Sequence, residues 1–266
     1  MPLTQINGDN PSLLNWVSTG PDNTSTVLLI HPVGLDLTYW DRQIEALQSA
    51  YNVVALDLPG HGRSAGRSQG WSFDEAVRVV AGLIEVVGAG SVHLVGISFG
   101  GMIAQATVLA RPELIRSLTL IGTASMFPEP VRAGMRSRAE AVRDGGMEAV
   151  LQSSLERWFT PATMLRRPDL IDRVSKTVLA DNPAIHAAIW DIIADFNVYD
   201  RLGEVQCPTL VLVGELDPST PPSAASVLAE GIRGARMVVF PKTSHMAMLE
   251  SPDAVNAELK QFLSEN

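Results

Sequence analysis

Short, uninterrupted runs of aliphatic and β-branched residues recur along the chain and do not alternate with polar residues. This pattern is typical of strands that are buried on both faces of a parallel sheet. Segments with a helical spacing of apolar residues lie between the runs, and such an alternation of strand and helix predicts a doubly wound α/β fold. The predicted strands are 26–30, 53–56, 92–95, 118–121, 209–213 and 237–240, and the predicted helices are 40–47, 73–87, 99–110 and 254–263.

The alternation stops between residues 124 and 203. This stretch has helical periodicity at 131–143, 147–158 and 183–196 and no strand-like run. We therefore predict a helical insertion that follows the run at 118–121, counted as the sixth strand of a mostly parallel sheet flanked by helices. The corresponding domains are a core of residues 1–123 and 204–266 and a helical cap of residues 124–203.

Composition narrows the class of protein. Of 266 residues, 46% are hydrophobic and 18% charged, and the net charge of −9 is spread along the chain without a basic stretch. Nucleic acid is therefore not an expected partner. The first ten residues do not resemble a signal peptide, and no apolar run reaches the ~20 residues that span a bilayer. We expect a cytoplasmic protein with no membrane partner.

The single cysteine, Cys207, excludes an internal disulfide and a multi-cysteine zinc site, and we interpret it as a buried structural thiol.

A Gly-Ile-Ser-Phe-Gly sequence at residues 96–100 joins a predicted strand to a predicted helix. A sharp turn there would hold the Ser98 hydroxyl at the carboxyl end of the sheet, and glycines at 96 and 100 would avoid collisions. The N-terminus of the following helix would favour an anion that forms beside the serine. We interpret Ser98 as a nucleophile.

Other glycine-rich turns fit this segment less well. A dinucleotide-binding G-x-G-x-x-G motif would need a glycine at position 98 and an acidic residue about twenty positions later. A phosphate-binding loop would need Gly-Lys-Ser/Thr. Neither pattern is present, and a packing turn with an incidental serine is the remaining alternative.

A nucleophilic serine needs a histidine base and an acid that orients it. His245 follows the last predicted strand and lies at the same sheet edge as Ser98, so it is the predicted base. Asp217, in the loop after strand 209–213, is the predicted acid, and its neighbour Glu215 is interpreted as a supporting residue. The other histidines are assigned elsewhere: His93 to a strand, His186 to the insertion, His61 to a glycine-rich turn and His31 to the loop after the first predicted strand.

Two backbone N–H groups are predicted to bind the oxyanion. One belongs to Phe99, directly after the nucleophile, and the other to the loop after strand 26–30. Pro32 has no N–H, so Val33 is the predicted second donor, with Gly34 giving the backbone room to turn. Two aimed amides in a dry site stabilise a transition state by several kcal/mol.

The chain resembles the α/β-hydrolases over nearly its full length, because Ser98, Asp217 and His245 follow their serine–acid–histidine order and "LDLPGHGRS" (56–64) matches a turn of that fold. It is more narrowly similar to 3-oxoadipate enol-lactonases and related esterases. The matching segments are "GISFGGMIAQ" (96–105), "AEAVRDGGMEAVLQSSLERWFTP" (139–161) and "PTLVLVGELDPSTPPSAA" (208–225).

This resemblance implies a serine hydrolase that uses no cofactor or metal and opens a small-molecule ester or lactone through an acyl-enzyme on Ser98. A C–C bond hydrolase, a perhydrolase or haloperoxidase-like activity, and a binding protein without chemistry are alternatives within the fold. The loop at residues 31–36 and the stretch after Gly122 depart from the lactonase pattern, so the resemblance leaves the substrate open.

The insertion is expected to cover the site and to supply its pocket. Arg157, beside Trp158, is the predicted partner of a substrate carboxylate, since the lactones of this family carry one. Three other arginines near the start of the insertion are alternatives: Arg132, Arg136 and Arg138. Seven apolar residues are candidates for the pocket wall: Met126, Phe127, Met135, Trp158, Phe159, Trp190 and Phe196.

Overall fold

The computed structural model of the protein describes residues 4–6, 12–21, 24–66 and 71–266. In this part of the chain one sheet has seven strands in the order β3-β5-β4-β6-β7-β8-β9, while β1 and β2 pair with each other in a separate two-stranded sheet. The strands are β1 (Thr4–Ile6), β2 (Ser12–Leu14), β3 (Trp16–Thr19), β4 (Thr26–Ile30), β5 (Asn52–Leu56), β6 (Val92–Ile97), β7 (Ile115–Ile121), β8 (Thr209–Gly214) and β9 (Arg236–Phe240).

All neighbouring strands of the large sheet are parallel except β3, which runs antiparallel to β5. Every residue of β4, β6 and β8 is buried, as the continuous apolar runs predict. The edge strands differ: β3 and β9 are largely half-buried, and Val239 on β9 is 42% exposed, because an edge strand is covered on fewer sides. The predicted mostly parallel α/β sheet is confirmed.

Helices pack on this sheet and form the insertion. Their bounds are α1 (Asp41–Leu47), α2 (Phe73–Val86), α3 (Phe99–Ala110), α4 (Glu129–Gly145), α5 (Glu148–Trp158), α6 (Pro161–Arg166), α7 (Pro168–Ala180), α8 (Pro183–Asp195), α9 (Pro222–Gly231), α10 (Ala247–Glu250) and α11 (Pro252–Ser264). Sequence periodicity predicted the positions of α1 to α5, α8 and α11 to within a few residues, but it did not predict α6, α7, α9 or α10. None of the helices in the described ranges is both long and apolar enough to cross a membrane.

The insertion carries α4 to α8 and lies between β7 and β8. In chain order β7 is the fifth strand of the large sheet and not the sixth, because β1 and β2 pair outside that sheet. The two ends of the insertion meet in an antiparallel bridge between Met126 and Asn197. Three of its helices start with proline at the first position, where the missing N–H costs no hydrogen bond.

The strand order reverses at β4, since the chain passes from β4 to β5 on one side and returns to β6 on the other. Ile30 at the end of β4 is in register with Gly96 near the end of β6. Loops that leave the two strands therefore diverge around a crevice at the carboxyl edge of the sheet, which is where open α/β sheets bind ligands. The loops after β7, β8 and β9 begin at the same edge of the sheet.

Two observations bear on the remaining sequence-based expectations. Most of residues 1–10, on which the expectation of no signal peptide depends, lie outside the described residues. Cys207 is only partly buried, and burial raises the pKa of its thiol, which disfavours the reactive thiolate.

Candidate active site

Ser98 lies on the turn between β6 and α3 with φ 54° and ψ −118°. This is a left-handed region that L-residues rarely adopt and that costs on the order of 1–3 kcal/mol. Backbone hydrogen bonds hold the turn: the Ser98 N–H donates to the Ile121 carbonyl over 2.9 Å, and the Ser98 carbonyl accepts from the Met102 N–H over 3.1 Å. The hydroxyl is thereby fixed at the edge of the sheet.

Two glycines make this turn possible by allowing close backbone contacts. A Cβ atom on Gly96 would overlap the carbonyl of Gly100, and a Cβ on Gly100 would overlap the carbonyl of Ile30. The glycines are therefore required by the approach of α3 to strands β4 and β6, which is the reason that the sequence pattern proposes for them.

The structure brings Ser98, His245 and Asp217 together from loops that are distant in the sequence. His245 Nε2 lies 3.0 Å from Ser98 Oγ, and His245 Nδ1 lies 2.8 Å from Asp217 Oδ2. With its proton on Nδ1, the imidazole donates to Asp217 and presents a free electron pair to the serine hydroxyl. His245 and Asp217 are 2% and 3% exposed, so this chain of hydrogen bonds is shielded from solvent.

Asp217 is a buried carboxylate with several donors. Its Oδ1 accepts from the N–H groups of Ser219 and Thr220, and its Oδ2 accepts from the Thr220 hydroxyl over 2.8 Å. Burial by itself raises the pKa of the Asp217 carboxyl, but the charge of His245 and the hydrogen bonds from His245 and Thr220 outweigh it and lower the pKa. The group is therefore held as a carboxylate.

Sequence analysis did not single out Thr220, although its signal is present. In a common type of turn, an Asp side chain accepts hydrogen bonds from the backbone N–H groups two and three residues later in the chain. The sequence also gave no role to Gly122 and Gly214. A Cβ on Gly214 would overlap the carbonyls of Thr243 and Ser244, so this glycine lets the histidine loop approach β8.

Glu215 lies outside the hydrogen-bonded chain. Its side chain is exposed, and its Oε2 accepts from the Lys242 N–H over 2.9 Å. Lys242 has φ 54°, and the bond stabilises this strained turn at the start of the loop that carries His245. Glu215 thus contacts that loop three residues before the histidine and has no contact with the imidazole.

The other four histidines are buried away from Ser98. His31 donates from Nδ1 to the Pro32 carbonyl over 2.7 Å and accepts the Leu58 N–H at Nε2 over 2.9 Å. His61 packs against it with ring centroids 5.1 Å apart. Burial lowers the pKa of both imidazoles to about 4. His93 bonds Ser117, and His186 lies between Asp181 and Trp190.

The two predicted oxyanion donors are on segments next to the nucleophile's cavity. Phe99 is the first residue of α3, so its N–H has no intrahelical acceptor. Val33 is 3% exposed and lines the same cavity as Ser98 and His245. The loop that holds it turns at Gly34, whose φ of 77° favours glycine.

A cavity opens above Ser98, between the sheet edge and the insertion. Four of the seven predicted apolar residues line it, and the other three do not: Met126 is exposed, Phe159 is fully buried elsewhere, and Phe196 packs on Phe73. The cavity is lined by Pro32, Val33, Ser98, Met102, Phe127, Met135, Arg138, Ser154, Arg157, Trp158, Trp190, Ile193, Ser219, Thr220 and His245. Among the residues described, no three metal-ligating side chains lie close enough to share an ion.

Four arginines were considered as cavity cations, and they fall into two classes. Arg132 and Arg136 lie on the outside of α4, where both bond the Asp195 carboxylate. Arg138 and Arg157 line the cavity, and neither forms an ion pair with any acid in the described part of the chain. Burial lowers the pKa of Arg157 against the opposing effect of Asp217, and burial with the nearby Arg157 charge lowers that of Arg138 to about 10. Both guanidinium groups are charged at neutral pH.

Hydrogen bonds fasten the insertion to the histidine loop. Glu250 accepts from the Thr160 N–H and hydroxyl, each over 2.8 Å, and from the Ser244 N–H over 2.6 Å. The Met246 N–H also donates to the Trp158 carbonyl over 3.1 Å. Segment 157–160, which carries two cavity residues, is therefore held directly against the segment that carries His245.

Known proteins resemble this chain along its length. A model described as "Alpha/beta hydrolase family" matches residues 27–258. The chain is 26% identical over 253 residues to 3-oxoadipate enol-lactonase 2 of Acinetobacter baylyi, covering 94% of each protein. It is 30% identical over 264 residues to a 2-hydroxy-6-oxononadienedioate/2-hydroxy-6-oxononatrienedioate hydrolase of Klebsiella pneumoniae, covering 91% of this chain and 88% of the relative. The crystal structure of the enol-lactonase from Burkholderia xenovorans is similar with a TM-score of 0.92 and 26% identity, covering 99% and 100% of the two chains.

The buried histidines generate a prediction for the pH dependence of stability. Between pH 6.5 and 4 the unfolded chain binds a proton at His31 and at His61, whereas the folded chain does not. The stabilisation by the two neutral imidazoles is complete above pH 6.5. As the pH decreases from 6.5 to 4, the free energy of unfolding should decrease by up to about 1.4 kcal/mol per pH unit for each histidine. Urea unfolding at pH 7, 6 and 5 measures this. His61→Gln should have a shallower slope, and a slope equal to that of the wild type would contradict the assignment.

Proposed function

The chain belongs to the alpha/beta hydrolase family, and from this premise we propose that it is a serine hydrolase that opens a carboxylate-bearing ester or lactone through an acyl-enzyme on Ser98. One geometric observation supports the proposal most directly. Ser98 Oγ, His245 and Asp217 form a hydrogen-bonded chain with separations of 3.0 and 2.8 Å, and Ser98 and His245 line the cavity.

In the proposed reaction, His245 Nε2 takes the hydroxyl proton as Ser98 Oγ attacks the carbonyl carbon of the substrate. The imidazolium that forms is stabilised by Asp217, whose own pKa is lowered and which therefore stays ionised. His245 then returns the proton to the leaving oxygen, and Ser98 keeps the acyl group. Water, deprotonated by the same imidazole, releases the acid and regenerates the serine.

The Val33 and Phe99 N–H groups are the proposed donors to the tetrahedral oxyanion. The Phe99 donor is at the start of a helix of 12 residues, whose dipole adds to the stabilisation of a negative charge. Removal of one such donor in serine hydrolases costs about 10²–10³ in kcat. Fixed donors need no reorganisation during the reaction, and the tight turn at Ser98 provides this rigidity.

Arg157 is the proposed partner of a substrate carboxylate. Its Nε donates weakly to Ser219 Oγ over 3.3 Å, and its two terminal nitrogens have no acceptor in the described chain. Trp158 forms an adjacent apolar wall of the cavity. A planar guanidinium with two free N–H-bearing nitrogens suits bidentate recognition of a carboxylate.

A C–C bond hydrolase is the second candidate, and the 30% identity to the Klebsiella pneumoniae hydrolase favours its inclusion. The same serine, histidine and aspartate could serve either reaction. A panel of small lactones, nitrophenyl esters and one vinylogous diketone acid separates the two, since a C–C hydrolase would turn over the diketone at the higher kcat/KM.

Ser98→Ala should abolish turnover without unfolding the protein, because nucleophile and base act as one unit and loss of either typically costs about 10⁶-fold in kcat. A serine-directed phosphonate should label the wild type once, at Ser98. Mass spectrometry of the labelled peptide and a nitrophenyl ester assay measure both effects. Labelling at another residue, or full activity in the alanine variant, would contradict the mechanism.

Asp217→Asn should lower kcat by roughly 10⁴-fold, because a neutral amide favours the wrong imidazole tautomer and does not stabilise imidazolium. Glu215→Gln is the matched control, since it changes a neighbouring acid that contacts only the Lys242 backbone. It should cost far less. Steady-state kinetics of the two variants decides between the acids, and a reversed order would assign the role to Glu215.

A free carboxylate on the substrate should raise kcat/KM by ~10-fold or more over the corresponding methyl ester, because charge-assisted hydrogen bonds contribute about 1.5–3 kcal/mol. Arg157→Met should remove most of this preference. Arg132→Met, on the outer face of α4, is the control. Equal kcat/KM for acid and methyl ester in the wild type would make a general carboxylesterase the better description.

A further inference from the structure

We propose that the cavity has two separate anion-binding positions, one at Arg157 and one at Arg138, and that the preferred substrate is therefore an ester or lactone carrying two carboxylates. This inference rests on the proposed function and narrows its substrate class. Arg138 is one of the three arginines that the sequence offers as alternatives to Arg157. In the structure it is the second cation that lines the cavity with Ser98.

The position at Arg138 is built by the surrounding side chains. Its guanidinium carbon lies 4.9 Å from the centroid of the Trp190 ring, a distance at which a cation is attracted to the face of an indole. Its Nη2 donates to the hydroxyl of Ser154, and its Nη1 donates to Ser153 over 3.2 Å. These contacts hold the group against the cavity wall and include no carboxylate.

Hydrogen bonds fix the orientation of the Trp190 side chain. Its indole N–H donates to His186 Nε2 over 2.8 Å, and His186 Nδ1 lies 2.8 Å from Asp181 Oδ2. The imidazole is 1% exposed and its nitrogens are both occupied, so the ring under Arg138 has one preferred orientation. A buried row of three side chains thus orients the cation that faces the ligand.

One donor of Arg138 is left without a partner. Its Nε is buried and makes no hydrogen bond to any described residue. An unsatisfied buried donor on a charged group is costly. The side-chain acceptors of Arg138 among the described residues are neutral hydroxyls, so a carboxylate in the cavity would be the first counter-ion of this guanidinium.

The charge balance of the cavity favours two anionic groups over one. The fifteen lining residues include two arginines and no aspartate or glutamate. The nearest buried acid on the Arg157 side is Asp217, whose oxygens are engaged by His245, Thr220 and Ser219. The mutual repulsion of the arginines contributes to the lowered pKa of Arg138. A monoanion neutralises one of the two cations, whereas a dianion neutralises both.

Three nitrophenyl esters test the number of positions: nitrophenyl butyrate with no free carboxylate, nitrophenyl hydrogen glutarate with one, and the terminal mononitrophenyl ester of propane-1,2,3-tricarboxylic acid with two. In the wild type, kcat/KM should rise at each step, and the second step should be about tenfold or more, mainly through KM. Arg138→Met should reduce the ratio of the diacid to the monoacid to about one. Arg132→Met, whose side chain is on the same helix but paired with Glu129 and Asp195, should leave the ratio unchanged.

Binding to the Ser98→Ala variant gives a readout that needs neither catalysis nor a folded Arg138 variant. Calorimetry should find that the terminal monomethyl ester of propane-1,2,3-tricarboxylic acid, with two free carboxylates, binds at least tenfold more tightly than monomethyl glutarate, with one. Equal affinities, equal kcat/KM for the diacid and monoacid esters, or a dianion preference that survives Arg138→Met would each overturn the two-position proposal. Hydrolysis that persists in Ser98→Ala would instead overturn the serine mechanism, and the calorimetric comparison would still decide the anion positions.

Discussion

The backbone at Ser98 is the constraint on which the rest of the site depends. A residue with a side chain stays at φ 54° and ψ −118° only where its surroundings determine the conformation, and here β6, α3 and the end of β4 all contribute. The chain must approach itself too closely for any Cβ at Gly96 or Gly100. The turn places the Ser98 hydroxyl 3.0 Å from His245 Nε2, and Phe99, whose N–H is a proposed oxyanion donor, follows directly in the chain.

The parallel sheet brings other loops to the turn that carries Ser98. Because β4, β6, β7, β8 and β9 end at one edge, loops separated by more than a hundred residues meet around the serine. The geometry of the proposed Ser98–His245–Asp217 site is therefore mostly a property of strand order. The insertion adds cavity walls and two arginines, and its two ends meet at the Met126–Asn197 bridge beside the sheet edge.

Much of this could be predicted from the sequence, because continuous apolar runs and glycine-flanked Ser98 are strong local signals. The missed elements had weaker or divided signals: β3 is a half-polar edge strand, and α9 presents few large apolar residues. Helix α7 has buried Leu170, Val174 and Val178 at helical spacing, so that helix was open to prediction. The assignment of arginines was not, since all four lie in helical segments of similar composition. Only the packing of α4 against α5 and α8 shows that Arg138 turns inward while Arg132 pairs with Asp195.

The Glu250 carboxylate has a consequence for how such a protein can be altered. It accepts hydrogen bonds both from Thr160 in the insertion and from Ser244 beside His245. One side chain therefore links the insertion to the loop that carries the histidine. An exchange of the insertion with that of a relative would need a hydroxyl-bearing residue at position 160, or the half-buried Glu250 carboxylate would lose its hydroxyl donor. Segments 157–160 and 244–250 should consequently be inherited, grafted or redesigned as a single unit, although more than eighty residues separate them in the sequence.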